Sequence, residues 1–266
     1  MTTNDRVLLS VEDGVAHVRL NRGDKRNGLD RAMFQALVST GEAVAADRRV
    51  RAVVLSGEGP AFCAGLDWKS FLGDSDGSKA LLARDVARSP ANLAQRACWV
   101  WTEVPVPVIA AVHGAALGGG FQLALACDMR LVAADATLSV MEIRYGLVPD
   151  MTASQTLLRL VRPDVAKELM FTGAVLTGEQ AARIGLATRV CADPVAEAKA
   201  LARTIAAQSP DAIRAGKKLC DRAPGLNVAD ALMFETELQL GLLGTPNQMA
   251  AVQAVMTKQA ARFEDT

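Results

Sequence analysis

Two short apolar runs, each ending in a cluster of glycines, set the strongest limit on this chain. The first, Arg51 to Ser56, reads Arg-Ala-Val-Val-Leu-Ser and stops at the turn Gly57-Glu58-Gly59-Pro60. The second, Val104 to Val112, runs into His113-Gly114-Ala115-Ala116-Leu117-Gly118-Gly119-Gly120 and then into the short apolar segment Phe121 to Ala126. Neither run alternates polar and apolar residues. A strand with one wet face alternates, so these read as strands covered on both faces, in a parallel sheet between helices. Composition points the same way. Half of the residues are hydrophobic but only 4% are aromatic, so Ala, Val and Leu must pack the core, which favours closely packed helices over an aromatic-rich sandwich.

The rest of the chain fits around those strands. Val7 to Val11 and Val15 to Leu20, split by Glu12-Asp13-Gly14, read as a hairpin. Asp30 caps a helical pattern through Met33, Phe34, Leu37 and Val44, and helical spacing returns from Pro90 to Thr102. Between them the polar stretch Gly73 to Ser78 reads as a loop. Met129 to Ala133 is a further strand; Met151 to Leu160, Pro163 to Phe171 and Gly178 to Ile184 are helical. From Pro194 onward the pattern is helix throughout. The expected organisation is an α/β core over residues 1–193 with a C-terminal helical region over 194–266.

Charge and cysteine usage narrow the function classes. The 29 Lys and Arg cancel the 29 Asp and Glu, so no general basic field for nucleic acid or membrane is present, and a polyphosphate ligand needs a local patch. The five cysteines share no metal-ligand spacing and read as reduced thiols, so no metal is expected. No signal-peptide pattern opens the chain, and no stretch of about 18 apolar residues occurs. A cytoplasmic protein is the expectation.

Two glycine motifs fail on context. Gly73-Asp74-Ser75-Asp76-Gly77 matches a nucleophile elbow as a string, but its flanks are polar, His17 precedes it and His113 follows too soon. Gly118-Gly119-Gly120 is not a dinucleotide fingerprint, because Leu123 stands where a small residue is needed for helix packing. What a strand ending in glycines and opening a helix does offer is a set of free N–H groups with the helix dipole behind them. That suits an anion, and a developing enolate oxygen is one. Phe62-Cys63-Ala64-Gly65-Leu66-Asp67 makes a second such loop after the other strand.

These residues carry a resemblance. Ala61-Phe62-Cys63-Ala64-Gly65-Leu66-Asp67, Pro105-Val106-Pro107-Val108-Ile109-Ala110-Ala111-Val112-His113-Gly114, Leu117-Gly118-Gly119-Gly120, Leu20-Asn21-Arg22, Lys25-Arg26-Asn27-Gly28-Leu29 and Ala126-Cys127-Asp128-Met129-Arg130 resemble, in order and over nearly the whole chain, the crotonase (enoyl-CoA hydratase/isomerase) superfamily. The resemblance implies a spiral of ββα units, a C-terminal helical trimerisation region, a homotrimer or dimer of trimers, and an acyl-CoA thioester as substrate. Coenzyme A belongs to the substrate, so no separate cofactor is implied. By position, Ala64 and Gly119 match the two amide donors of the family's oxyanion hole, with Gly65, Leu66 and Asp67 beside them.

The acid–base groups separate the activities. Family hydratases carry one glutamate two residues after the triple glycine and another 20 residues further; here those positions hold Gln122 and Glu142. Eight residues past Glu142 stands Asp150, a spacing that resembles dienoyl-CoA isomerases, which also have an acidic residue where Gln122 stands. Two carboxylates along a bound acyl chain can take a proton at one carbon and return it at another. Double-bond isomerisation by Glu142 and Asp150 is the expected activity. Hydration by Glu142 alone stays open, as does a non-catalytic acyl-CoA- or RNA-binding relative. Asp150 also reads as a helix N-cap before Met151, and Thr152 with Gln155 as a capping box. For the nucleotide of coenzyme A, Arg22, Lys25 and Arg26 form the local basic group, and Lys258 and Phe263 resemble positions that reach the same nucleotide from a neighbouring subunit. Cys63, Trp68 and His113 read as packing residues.

Overall fold

The computed structural model describes residues 6–71, 75–84 and 89–265 of the chain. The hairpin is β1 (Val7–Glu12) and β2 (Val15–Leu20), paired antiparallel. Helix α1 (Arg31–Ala46) follows, with the Asp30 carboxylate accepting from Met33 N as expected of an N-cap. The first apolar run is β3 (Ala52–Gly57), fully buried over its first five residues. Two short helices, α2 (Trp68–Phe71) and α3 (Ser75–Leu82), precede α4 (Leu93–Glu103). Ser75 to Ser78, expected in a loop, thus open a helix, while Gly73 and Asp74 lie outside the described residues.

The second apolar run forms β4 only from Val108 to Val112. Pro105 and Pro107 have no N–H for a ladder, so the strand begins after them. The chain then passes through β5 (Ala115–Leu117) into α5 (Gly119–Leu125), which starts within the triple glycine rather than at Phe121. The same step repeats: β6 (Met129–Val132) leads to β7 (Thr137–Ser139) and on to α6 (Ala153–Leu160) and α7 (Pro163–Thr172). After β8 (Leu176–Thr177), α8 (Gly178–Arg183) and β9 (Arg189–Val190) come the helices of the C-terminal region. These are α9 (Pro194–Ala206), α10 (Pro210–Arg222), α11 (Val228–Leu242) and α12 (Pro246–Thr257).

The strands make two sheets. One has the order β1-β2-β3-β4-β6-β9 and is parallel except for β1; the other is β5-β7-β8. β4 and β6 each hand the chain to the second layer and then to a helix, which is the ββα step of a spiral. Cys63, after β3, joins that layer by a bridge to Ala116. The core between the layers holds Phe34, Phe62, Trp101 and Phe121, all buried. On the other face of the first sheet, Ala198, Ala202 and Ala206 of α9 pack on Ala52, Val54, Ile109 and Leu131. The boundary expected at 193 therefore falls before a helix that packs on the sheet. No helix among the described residues is long and apolar enough to cross a membrane. The carboxyl ends of β3 and β4 lie side by side, where ligands of open α/β sheets bind.

Candidate active site

The first loop is held from behind by Asn27. Its side-chain N–H groups donate to the carbonyls of Glu58 (2.9 Å), Ala61 (2.8 Å) and Phe62 (3.1 Å), and its oxygen accepts from Arg22 N (2.8 Å). Arg22 also reaches Asp67 at 2.8 Å and Asp30 at 3.6 Å. These contacts fix the course of residues 58–67 before any ligand arrives.

An account of the amides in that loop identifies which can bind an oxyanion. Phe62 N donates to His113 O, Cys63 N to Ala115 O, Ala64 N to Arg26 O at 2.9 Å and Asp67 N to Leu29 O. Between Ala64 and Asp67 only Gly65 and Leu66 have N–H groups given to no carbonyl among the described residues, and that of Gly65 borders the Cys63 sulfur. The expectation that Ala64 supplies a donor is therefore corrected: its N–H is already spent on Arg26. The free amide at the cavity is that of Leu66.

The second loop leaves Gly119 free. Leu117 N donates to Cys63 O, Gly118 N to Ser139 O, and both Phe121 N and Gln122 N to Gly118 O. Gly119 N opens the short helix α5 without a backbone partner. The loops touch. Gly65 has φ +84°, and a Cβ built on it lies 2.5 Å from Leu117 O and 3.6 Å from Gly119 N. Gly120 is needed for the same approach, since its Cβ would sit 2.2 Å from Cys63 O.

Ala64, Gly65, Leu66, Gly118 and Gly119 border one cavity of about 660 Å³, whose walls are mostly apolar, with Phe34, Phe71, Leu81, Leu147 and Val148 among them. Trp68 and Tyr145 line it as a tilted aromatic pair with centroids 4.9 Å apart. Two ionisable acids face this space, Glu142 and Asp150. Glu142 opens a 3-10 turn, Glu142–Tyr145, after β7. Its Oε1 accepts from Gln122 Nε2 at 2.7 Å, whereas its Oε2 is buried without a partner. Burial raises the pKa of Glu142; its own backbone N–H and the Gln122 bond oppose the rise, and Asp150 adds to it. Asp150 presents its surface to the cavity, and the desolvation imposed by the surrounding walls raises its pKa too. Both groups thus hold their protons more tightly than a solvated carboxyl group does.

Asp150 is not a helix cap. The N-cap of α6 is Thr152, at φ 81° and with no side-chain cap bond, so the Thr152–Gln155 capping box is absent. The cap comes from elsewhere: Gln122 Oε1 accepts from Met151 N at 2.8 Å and Ala153 N at 3.2 Å. Gln122 is wholly buried and does not line the cavity, so its expected contact with substrate is replaced by contacts beneath the site.

The other expected residues divide. Lys25 and Arg26 are exposed and carry no ion pair among the described residues. Arg22, by contrast, is committed to Asp30 and Asp67, and this pairing turns the Asp67 carboxylate to Arg22, outside the cavity lining. Lys258 and Phe263 do not line the cavity either. The Phe263 carbonyl accepts from Arg51, just before the amino end of β3 and so at the opposite end of that strand. Asn27 and Met151 were not picked out as functional from the sequence. Asn27 stood in the Lys25-Arg26-Asn27-Gly28 string, but nothing local tells a buried staple from a solvated turn.

The chain matches a protein-family model described as "Enoyl-CoA hydratase/isomerase" over residues 10–266. It is 34% identical to the mitochondrial Delta(3,5)-Delta(2,4)-dienoyl-CoA isomerase of Homo sapiens, over 93% of this chain and 77% of that protein. It is 31% identical to the mitochondrial enoyl-CoA hydratase domain-containing protein 2 of Homo sapiens, over 97% of this chain and 88% of that one. Among solved structures, an enoyl-CoA hydratase from Bacillus anthracis superposes with a TM-score of 0.88 at 28% identity, over 98% of this chain and all of that one.

Proposed function

The chain belongs to the enoyl-CoA hydratase/isomerase family and is an enzyme of it; on that premise we propose that it moves a carbon–carbon double bond in an enoyl- or dienoyl-CoA. The carrying observation is that two acids with raised pKa values, Glu142 and Asp150, border one apolar cavity beside the free amides of Leu66 and Gly119.

The thioester carbonyl oxygen sits between Leu66 N–H and Gly119 N–H. As a C–H bond next to the unsaturated system breaks, its electrons move toward that oxygen, and the two donors stabilise the negative charge. The Glu142 carboxylate, which borders the cavity, accepts the proton. Protonated Asp150 returns one at a different carbon, and the double bond migrates. Glu142 then holds a proton and Asp150 is ionised; exchange through the open cavity resets both. A carboxylate with a raised pKa is a better base once ionised, which suits this step.

No further cofactor is required, because the coenzyme A thioester supplies the electron sink. The exposed Lys25 and Arg26 are the residues of this chain proposed for its phosphates. Lys258 and Phe263 serve the cavity of a neighbouring copy in a homotrimer or dimer of trimers. That assembly is supported by apolar side chains left exposed on the last two helices, among them Val228, Met233, Leu240, Val255 and Met256. A cytoplasmic setting is proposed with it.

The test is mass spectrometry of hex-3-enoyl-CoA and a 3,5-dienoyl-CoA incubated with the protein in heavy water. Glu142→Gln abolishes deuterium uptake. Asp150→Asn keeps uptake but loses migration. Uptake undiminished in Glu142→Gln removes that residue from the mechanism. Gain of one water mass by crotonyl-CoA, with loss of its conjugated enoyl absorbance, makes the enzyme a hydratase instead.

A further inference from the structure

Resting on the reading of Glu142 as the base, we infer that Gln122 is a positioning residue that holds the Glu142 carboxyl group and locks the two acids into one frame. The argument starts from the polarity of a carboxamide. One end of Gln122 meets two backbone N–H groups, those of Met151 and Ala153. Only an oxygen can accept from both, so the amide has one orientation. Its NH₂ group is thereby turned toward Glu142 Oε1, at 2.7 Å.

Three consequences follow. First, an N–H facing Oε1 at that distance pins the Glu142 carboxyl group by the oxygen nearer the glycine loop, where Oε1 stands 3.3 Å from a Cβ built on Gly118, while Oε2 is buried without a partner. Second, Met151 N belongs to the peptide that follows Asp150, so the same side chain that holds one acid also holds the backbone of the other. Residues 122, 142 and 150–153 share one hydrogen-bonded frame although they come from three separate elements. Third, Gln122 is fully buried on α5, a helix with no charged residue, so no competing group or bulk water can take over its bonds.

The electrostatic surroundings of Glu142 are correspondingly sparse. Asp150 acts on it from the loop before α6. The buried Cys98 thiol of α4 lies within electrostatic range of both acids, and burial keeps that thiol protonated. On its own turn, Arg144 donates to Gly173 O at 2.9 Å, and Lys167 and Glu168 of α7 are exposed. A second carboxyl group in place of the Gln122 amide would be the largest new term acting on Glu142.

The experiment compares Gln122→Glu and Gln122→Met with the full-length parent. Deuterium uptake into hex-3-enoyl-CoA is followed as a function of pH, with thermal melting in parallel. In Gln122→Glu one carboxyl oxygen still caps Met151 N and Ala153 N, while the other confronts Glu142 Oε1, and the two acids share a proton. The acid limb of kcat moves up by at least one pH unit, KM stays within about twofold, and activity returns at high pH. In Gln122→Met neither bond survives, and kcat falls at least tenfold at every pH. A Gln122→Glu limb that stays in place while Glu142→Gln abolishes uptake overturns the positioning role and leaves the base assignment standing. Uptake that survives Glu142→Gln overturns the base assignment itself. If both Gln122 variants lower the melting temperature without altering the pH profile, Gln122 is a structural residue only.

Discussion

Substituting Gly65 by alanine tests the two-amide geometry directly. Gly65 has φ +84°, where an L side chain is strained, and its Cβ would meet the Leu117 carbonyl oxygen at 2.5 Å. A backbone oxygen cannot swing aside as a side-chain end can. The left-handed conformation costs alanine about 1–2 kcal/mol, and forcing an atom into packed backbone costs about 1–3 kcal/mol more. Relief requires residues 65–66 and 117–119 to part, and these carry both free amides. Loss of one oxyanion donor lowers kcat about 10²- to 10³-fold. Gly65→Ala is therefore expected to lose about 2–5 kcal/mol of stability in urea titration and to cut deuterium uptake by about 10²-fold or more. Gly119→Ala is the matched control. Its Cβ meets the Met151 sulfur at 2.5 Å and Leu29 Cδ1 at 3.1 Å, both ends of flexible side chains. The loss of stability there is about 1–2 kcal/mol, near the lower end for an overpacked site. If Gly65→Ala folds and retains kcat within threefold of the parent, the loops do not converge on the reacting oxygen.

Two further outcomes follow from the charges at the site. Burial raises the pKa of Glu142 above its unfolded value, so the folded state binds its proton more tightly and stability from this group is lost as pH rises through both values. Glu142→Gln should thus melt higher than the parent at pH 7, and the gap should close toward pH 4; a gap independent of pH would contradict the assignment. Arg22 is largely buried between Asp30 and Asp67. Arg22→Met leaves Asp67 without its cation, while Asp30 keeps Arg6 at 2.7 Å, at a cost of about 3 kcal/mol, and it should lower kcat more than it raises KM, since the loop it braces carries Leu66; the kcat-against-KM split in steady-state kinetics checks this.

Much of this architecture was legible because it rests on local patterns. The unbroken apolar stretches Ala52 to Leu55 and before His113 read as buried strands, and the glycines after them marked where backbone comes close to backbone. The less legible part is set by long-range hydrogen bonding. Ala64 and Leu66 are two residues apart in the same glycine turn, and nothing in the string distinguishes their amides. What decides is that Arg26, 38 residues earlier, offers its carbonyl to one of them. Gln122 is a parallel case. As a letter it marks the absence of a carboxylate; in the fold its oxygen caps α6, a task the sequence assigned to Asp150 or Thr152, and this releases Asp150 to face the cavity. The two misreadings have one physical origin. A buried amide or carboxyl group takes its role from whichever donors and acceptors remain unpaired around it, and that remainder is a property of the assembled fold, not of any segment within it.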